Sequence, residues 1–306
     1  MTPGSLHGKT CLVTGGTAGI GLATARELAR RGAAVAIVGR GVSRGVKAAQ
    51  AIRRDTGNEA VAFLPADMSS LGDVRALAAQ WLAGTDRLDV LVNNAGALFA
   101  VRRESVDGIE MTLALNHLGP FLLTNLLLDA LKAAAPSRIV NVASGAHHDV
   151  AGFDFEDPQA RRRGFGGYPR SEAASAFYSL VMPWAHPGYR QYARTKLANI
   201  LFTTELARRL EGTGVTANAL HPGVVASAFP EGNGVYGWFM RRYMALRGIG
   251  VEEGARTSIH LASAPDVEGV SGGYFVDRHP AACSAAARDT SAAARLWKLS
   301  EGLVGL

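Results

Sequence analysis

Cysteine is scarce in this chain: 306 residues hold two, Cys11 in an apolar run and Cys283 near the polar end. That excludes a disulfide framework, and neither thiol has the spaced partners of a zinc site, so no metal is expected. Two lone thiols suit a reducing, cytoplasmic compartment. Also missing is any uninterrupted apolar run of about 18 residues, the length that a membrane-crossing helix needs. The first ten residues include Pro3, Gly4, His7 and Lys9 and lack the apolar stretch of a signal peptide. The expectation is a chain with neither a secretory leader nor a membrane span. Charge of one sign is only mildly in excess, 32 Lys+Arg against 26 Asp+Glu for a net +6. Apart from Arg161-Arg162-Arg163 and Arg241-Arg242 the basic residues are dispersed. Nucleic-acid binding requires a basic stripe, so no nucleic-acid partner is expected.

What is present is apolar and periodic. Hydrophobic residues make up 48% of the chain and charged residues 19%, enough to bury a sizeable core. Strand-like runs at Thr10–Thr14, 34–38, 60–64, 89–93 and 138–143 alternate with helical stretches at 19–31, Val42–Thr56 and 107–134. Leu71, Val74, Leu77, Ala78, Trp81 and Leu82 mark another helix by their spacing. Alternation of this kind predicts α/β architecture: one Rossmann-type, doubly wound parallel sheet of about seven strands with helices on both faces. The pattern breaks over 146–189, which reads as an insertion. It resumes with a helix over 189–210, a strand over 215–220, a Gly- and aromatic-rich segment over 228–250, a helix over 251–262 and a strand at Tyr274–Val276. A single dinucleotide-binding domain over 1–306 follows, with 146–189 near the active site and 228–250 on the substrate side. Leu-rich 121–131 reads as a core helix or one that faces a second copy in a homo-oligomer.

The first strand runs into Thr14-Gly15-Gly16-Thr17-Ala18-Gly19-Ile20-Gly21, which opens a helix. Glycine there permits a tight turn and close backbone approach to a pyrophosphate at the positive end of a helix. At the close of the second strand, Ile37-Val38-Gly39-Arg40 has no acid to bond a ribose hydroxyl. Arg40 offers a cation to a 2′-phosphate instead, which favours NADP over NAD. Asp67 and Met68 follow the third strand and Asn94, Ala95 and Gly96 the fourth, where open α/β sheets bind ligands. Ser144 ends the fifth strand, and Tyr192 and Lys196 stand one helical turn apart on a shared face. A nearby ammonium favours a phenolate, so Lys196 is expected to lower the pKa of Tyr192 for proton exchange while Ser144 holds the substrate oxygen. His147 and His148 read as solvated loop histidines and His221 as structural. Tyr189 lacks a lysine four residues on, which makes Tyr192 the better acid.

In this order the residues resemble the short-chain dehydrogenase/reductase family, with its Thr-Gly-x-x-x-Gly-x-Gly turn, Asn-Asn-Ala-Gly stretch and Tyr-x-x-x-Lys. The resemblance implies that Asn116 kinks its helix and holds a water in a proton relay from Lys196. It also implies that Pro222, Gly223, Val225 and Ser227 cover the nicotinamide, Ser227 standing where the family has threonine. Cofactor contacts are then expected from Gly15, Thr17, Gly19, Ile20, Gly21, Arg40, Asp67, Met68, Asn94, Ala95, Gly96, Tyr192, Lys196, Pro222, Gly223, Val225 and Ser227. The catalytic set is Asn116, Ser144, Tyr192 and Lys196. Stretches such as Asn116-His117-Leu118-Gly119-Pro120-Phe121 and Thr195-Lys196-Leu197-Ala198-Asn199 are similar to retinol dehydrogenases and WW-domain-containing oxidoreductases. That branch implies a small apolar carbonyl or alcohol substrate, although the gap from Ser144 to Tyr192 is longer here. The rival readings are a non-catalytic NADP-sensing module of the same fold and a sugar-nucleotide epimerase or dehydratase. Retained proton-transfer groups argue against the first and the glycine spacing against the second. The insertion is expected either to be a movable cover over the substrate, walled by Phe153, Phe155, Phe165, Tyr168, Phe177, Tyr178 and Trp184 with Arg161-Arg162-Arg163 in water, or to be a surface loop packed on its own aromatics.

Overall fold

A computed structural model describes residues 5–162, 167–181, 185–226, 229 and 232–306. Arg163, Phe165, Trp184 and Ser227 lie outside the described residues. The amino-terminal half alternates β1 (Thr10–Thr14), α1 (Gly19–Arg30), β2 (Ala34–Gly39), α2 (Val42–Thr56), β3 (Val61–Pro65), α3 (Leu71–Gly84) and β4 (Val90–Asn93). Then come α4 (Met111–Leu113), a π-helical turn (Ala114–Leu118), α5 (Gly119–Leu126), α6 (Leu128–Ala133) and β5 (Ser137–Val142). The rest is α7 (Glu172–Val181), α8 (Pro187–Arg209), β6 (Val215–His221), α9 (Gly234–Arg247), α10 (Val251–Ser263), β7 (Tyr274–Val276), β8 (His279–Pro280) and α11 (Thr290–Val304).

One sheet orders the strands β3-β2-β1-β4-β5-β6-β7-β8. All neighbours are parallel except the short β8, which returns antiparallel on β7. The sheet thus has eight strands where the pattern suggested about seven; two residues carry too little alternation to announce a strand. Side chains alternate between the faces, as the strand period of two demands. Cys11, Val13, Val35 and Ile37 join α1, α2 and α10 on one side. Leu12, Ala36 and Val38 join α3, α5, α8 and α11 on the other.

Two readings need correction and one is narrowed. The helix expected over 107–134 is interrupted, because Glu110 caps its true start and the 114–118 turn widens to π spacing. The 146–189 insertion is not wholly irregular, since α7 lies within it, and α9 occupies most of the 228–250 segment. Finally, α11 covers the Leu-rich 121–131 stretch from within the same chain: Trp297 meets Phe121 edge-on at 4.9 Å, and Ser300 hydrogen-bonds His117 at 2.8 Å. The core alternative for that helix is the one realised.

Candidate active site

The carboxyl ends of β1, β4 and β5 frame the site. Thr14 is wholly buried, and its hydroxyl accepts from Asn94 N (3.0 Å) and Ala95 N (3.1 Å). The Asn94 amide in turn donates to Thr14 O at 2.9 Å. These bonds clamp the glycine turn to the 94–96 loop. Gly21 is required by crowding, since a Cβ there would lie 2.4 Å from Gly15 O and from Asn94 Nδ2. Gly19 is required by conformation, at φ +54°, and a Cβ there would meet no protein atom within 4 Å. Behind it α1 begins with no side-chain cap on Ala18 and no acid in its first turn. Free helix amides facing open space suit a pyrophosphate, so the turn fits a dinucleotide.

Just beyond the carboxyl end of β2, Arg40 is largely exposed and its guanidinium stands 3.7 Å from Asp67 Oδ2. The other Asp67 oxygen accepts from Ser69 N and Oγ at 2.9 and 2.7 Å. The corner therefore does contain a carboxylate, brought from β3, although none follows β2 in sequence. The Met68 side chain is in the core, which leaves only its backbone to face a ligand. Thr17 packs under Gly39, and Ile20 and Val225 flank Gly254. Val225 also bridges to Ile249, and Gly223, at φ +87°, follows Pro222 out of β6. Pro222 and Gly223 thus lie at the β6 exit of the same edge.

At the carboxyl end of β5, Ser144 continues in extended conformation and its Oγ accepts from Ala146 N at 3.2 Å. Tyr192 is buried; burial pushes its phenol up to about 12, with the neighbouring Ser144 hydroxyl acting the other way. Burial also pushes Lys196 down to about 8. Its Nζ donates to Val142 O at 2.8 Å and stands 5.6 Å from the Tyr192 ring centroid. Desolvation acts on both groups, raising the phenol and lowering the ammonium. Gly96 closes the corner, where a Cβ would come 3.2 Å from Asn116 Oδ1 and 3.4 Å from Lys196 Nζ.

Asn116 sits in the π turn, a distortion that recurs at functional sites. Its side chain is fully engaged: Oδ1 accepts from Ala97 N (2.8 Å), and Nδ2 donates to Ala97 O (2.9 Å) and Thr195 Oγ1 (3.0 Å). It thus ties the 95–97 loop to α8 one residue before Lys196.

Several participants have no motif. His147 is fully buried rather than solvated: Nδ1 bonds Ser144 O at 2.7 Å and Nε2 accepts from Ser284 N at 3.2 Å. That pairing requires the Nδ1–H tautomer and pins the serine backbone to the carboxyl-terminal segment. His148 is exposed, as expected. Burial pushes His221, next to Gly145, down to about 4. Glu110 accepts from Thr112 N, Leu113 N and Gln191 Nε2 at 2.8, 2.9 and 3.0 Å, which couples the Asn116 helix to α8. A buried acid just ahead of a helix start was the signal available for it.

Beyond Tyr192 lies an apolar cluster of Leu98, Ala100, Ala146, Ala193 and Tyr236, with Phe229 and Met240 against it. Phe229 stands edge-on to the Tyr192 ring at 5.4 Å. Asn233 fixes this wall, accepting from Ala100 N at 2.7 Å and donating to Leu98 O at 2.8 Å. The insertion divides. Phe153 and Phe155 pack on the main core, whereas α7 packs on α9. Tyr168 bonds Phe99 O and Thr112, and the Tyr178 ring stands 6.1 Å from His186. A separate cleft lined by Ser137, Arg208, Thr216 and Glu268 lies at the opposite end of β5 and β6, and none of the predicted site residues lines it.

Comparison with known proteins agrees with this geometry. The short chain dehydrogenase family profile matches residues 9–153. Retinol dehydrogenase 12 of Homo sapiens is 42% identical over 301 residues, covering 98% of this chain and 88% of that protein. Dehydrogenase/reductase SDR family member 13 of Homo sapiens is 42% identical over 306 residues, covering 99% and 75%. An uncharacterized protein from Mycobacterium paratuberculosis superposes with a TM-score of 0.72 at 32% identity, covering 99% and 96%. The Pseudomonas aeruginosa RhlG/NADP active-site complex superposes with a TM-score of 0.66 at 26% identity, covering 90% and 97%.

Proposed function

Because this chain belongs to the short-chain dehydrogenase/reductase family, in its retinol dehydrogenase-like branch, and is an oxidoreductase of the nicotinamide-using kind, we propose that it exchanges a hydride between NADP(H) and the carbonyl or alcohol carbon of a small apolar substrate. The observation that carries this reading is the placement of buried Tyr192 beside Ser144 and Lys196, at the edge of the sheet where the glycine turn opens. The uncapped α1 amides would hold the pyrophosphate and Arg40 the 2′-phosphate, Arg40 exchanging its loose contact with Asp67 for a stronger one. When bound, the reduced nicotinamide supplies the hydride.

The chain supplies position and a proton. Ser144 and Tyr192 hydroxyls bond the substrate oxygen. As that oxygen gains charge, the Tyr192 proton passes to it, the C=O becomes C–OH, and the phenolate left behind is stabilised by the Lys196 ammonium. Lys196 then restores the proton, with Asn116 holding the loop and helix around it. Oxidation runs the same transfers in reverse. The Leu98, Phe229, Tyr236 and Met240 wall supports an apolar substrate. The two free thiols support a cytoplasmic setting.

The test is NADPH oxidation with apolar ketones and aldehydes of graded size. Tyr192→Phe should lower kcat by about 10²- to 10⁴-fold while cofactor affinity stays within about twofold. A variant that keeps most of its rate would place the acid elsewhere, Tyr189 being next in line. The reduction rate should be level below about pH 8 and fall above it, as Lys196 loses its proton. Stability should follow the opposite course. Between about 8 and the ordinary lysine value of 10.5 the unfolded chain holds the extra proton, so this group favours the fold increasingly as pH rises.

A further inference from the structure

Two helices on the substrate side turn apolar side chains outward. Phe177, Leu180 and Val181 on α7 and Val235, Trp238 and Leu246 on α9 are exposed, six of the twelve large apolar side chains so exposed among the described residues. Positions 177, 180 and 181 share one helix face, and 235, 238, 242 and 246 fall in one stripe. The inner positions, Tyr178 on α7 and Tyr236 on α9, are buried, and the two helices pack against each other.

The charge on this surface is one-sided. Over its length α9 carries Arg241, Arg242 and Arg247 and no acid. None of the three has a carboxylate partner among the described residues. The one charged residue of α7, Glu172, stands 3.8 Å from Arg103. Arg242 lies over the exposed Trp238 ring, 5.9 Å from its centroid. Indole beside unpaired guanidinium suits a bilayer boundary, where the ring sits at headgroup level and the cation meets lipid phosphate.

We propose that the outward faces of α7 and α9 dock on an anionic lipid bilayer. A second copy would also cover the apolar side chains, but a two-fold contact would set the arginines of α9 against their own equivalents. Anionic headgroups neutralise them instead. Among the described residues no helix is long and apolar enough to cross a membrane. The inner side of α9, through Tyr236, belongs to the wall over Tyr192. Resting on the function proposed above, docking places the substrate entrance at the hydrocarbon boundary, the phase that holds an apolar carbonyl compound.

Flotation of the full chain with vesicles of phosphatidylcholine, alone or mixed with phosphatidylserine, tests this. The protein should rise with the mixed vesicles only, and added salt should release it. The double variant Arg241→Gln with Arg242→Gln should weaken partitioning about thirtyfold, two charges at about 1 kcal/mol each. Leu180→Asp with Trp238→Asp should abolish it. Unchanged NADPH affinity in both variants shows that they are folded. No binding to mixed vesicles, binding that both variants retain, or a solution dimer that the same substitutions dissolve would each overturn the proposal. Flotation involves no turnover. Its failure leaves the hydride-transfer reading standing, whereas a membrane-bound but inactive protein contradicts only that reading.

Discussion

The cofactor side and the substrate side of this molecule are built on different physics. Around the glycine turn, backbone rules decide almost everything: Thr14 and Asn94 clamp the loop, and Gly21 is fixed by a contact that admits no side chain. On the substrate side, α7 and α9 hold their places through tertiary contacts, Asn233 and Tyr236 above all, and leave apolar faces outside. One half offers a proposed dinucleotide site built on main-chain geometry. The other forms a wall and a surface from side chains.

The comparison breaks most sharply at Gly21. Gly21→Ala places a methyl group 2.4 Å from Gly15 O, and an overpacked core site costs about 1–3 kcal/mol. Here that cost falls on the phosphate turn, so NADPH affinity should drop about tenfold to a hundredfold or more, measured by calorimetric titration. Wild-type affinity would mean that the turn is not the phosphate site. Next is Arg40→Ser. Loss of one charge-assisted contact, about 1.5–3 kcal/mol, should weaken NADPH about ten- to a hundredfold and leave NADH unchanged. Equal losses for both cofactors would remove the 2′-phosphate from Arg40 and turn attention to Asp67. The smallest effect belongs to the substrate side. Asn233→Ala leaves the Ala100 amide without its acceptor, a cost of about 1–3 kcal/mol in stability. KM for bulky substrates should rise while NADPH affinity holds; a fall in NADPH affinity would show that the two sides are not separable.

The same division explains what could be read from the chain alone. Strand boundaries through β5 shift by at most one residue between pattern and structure, because a parallel sheet buried on both faces needs short apolar runs. Ser144, Tyr192 and Lys196 converge as spacing and order implied. The π turn at Asn116 had no signature of its own in helical periodicity, and was expected only as a kink from family likeness. His147 looked like loop chemistry because its partners, Ser144 O and Ser284 N, are backbone atoms, one of them 137 residues away. The carboxylate near Arg40 was hidden for a related reason: Asp67 reaches the corner from β3, not from the strand that precedes Arg40. In α7 and α9 the apolar residues face outward as well as inward, which flattens the period on which helix recognition depends.

The central claim is that a hydride passes from NADPH to a substrate carbon under the proton supplied by Tyr192. The direct measurement uses NADPH deuterated at both C4 positions with an apolar aldehyde that wild type reduces, and mass spectrometry of the alcohol. The account predicts one deuterium on the carbinol carbon with wild type, and about 10²- to 10⁴-fold slower label transfer with Tyr192→Phe at saturating cofactor. Alcohol formed without deuterium, or label transferred by Tyr192→Phe at the wild-type rate, would contradict it.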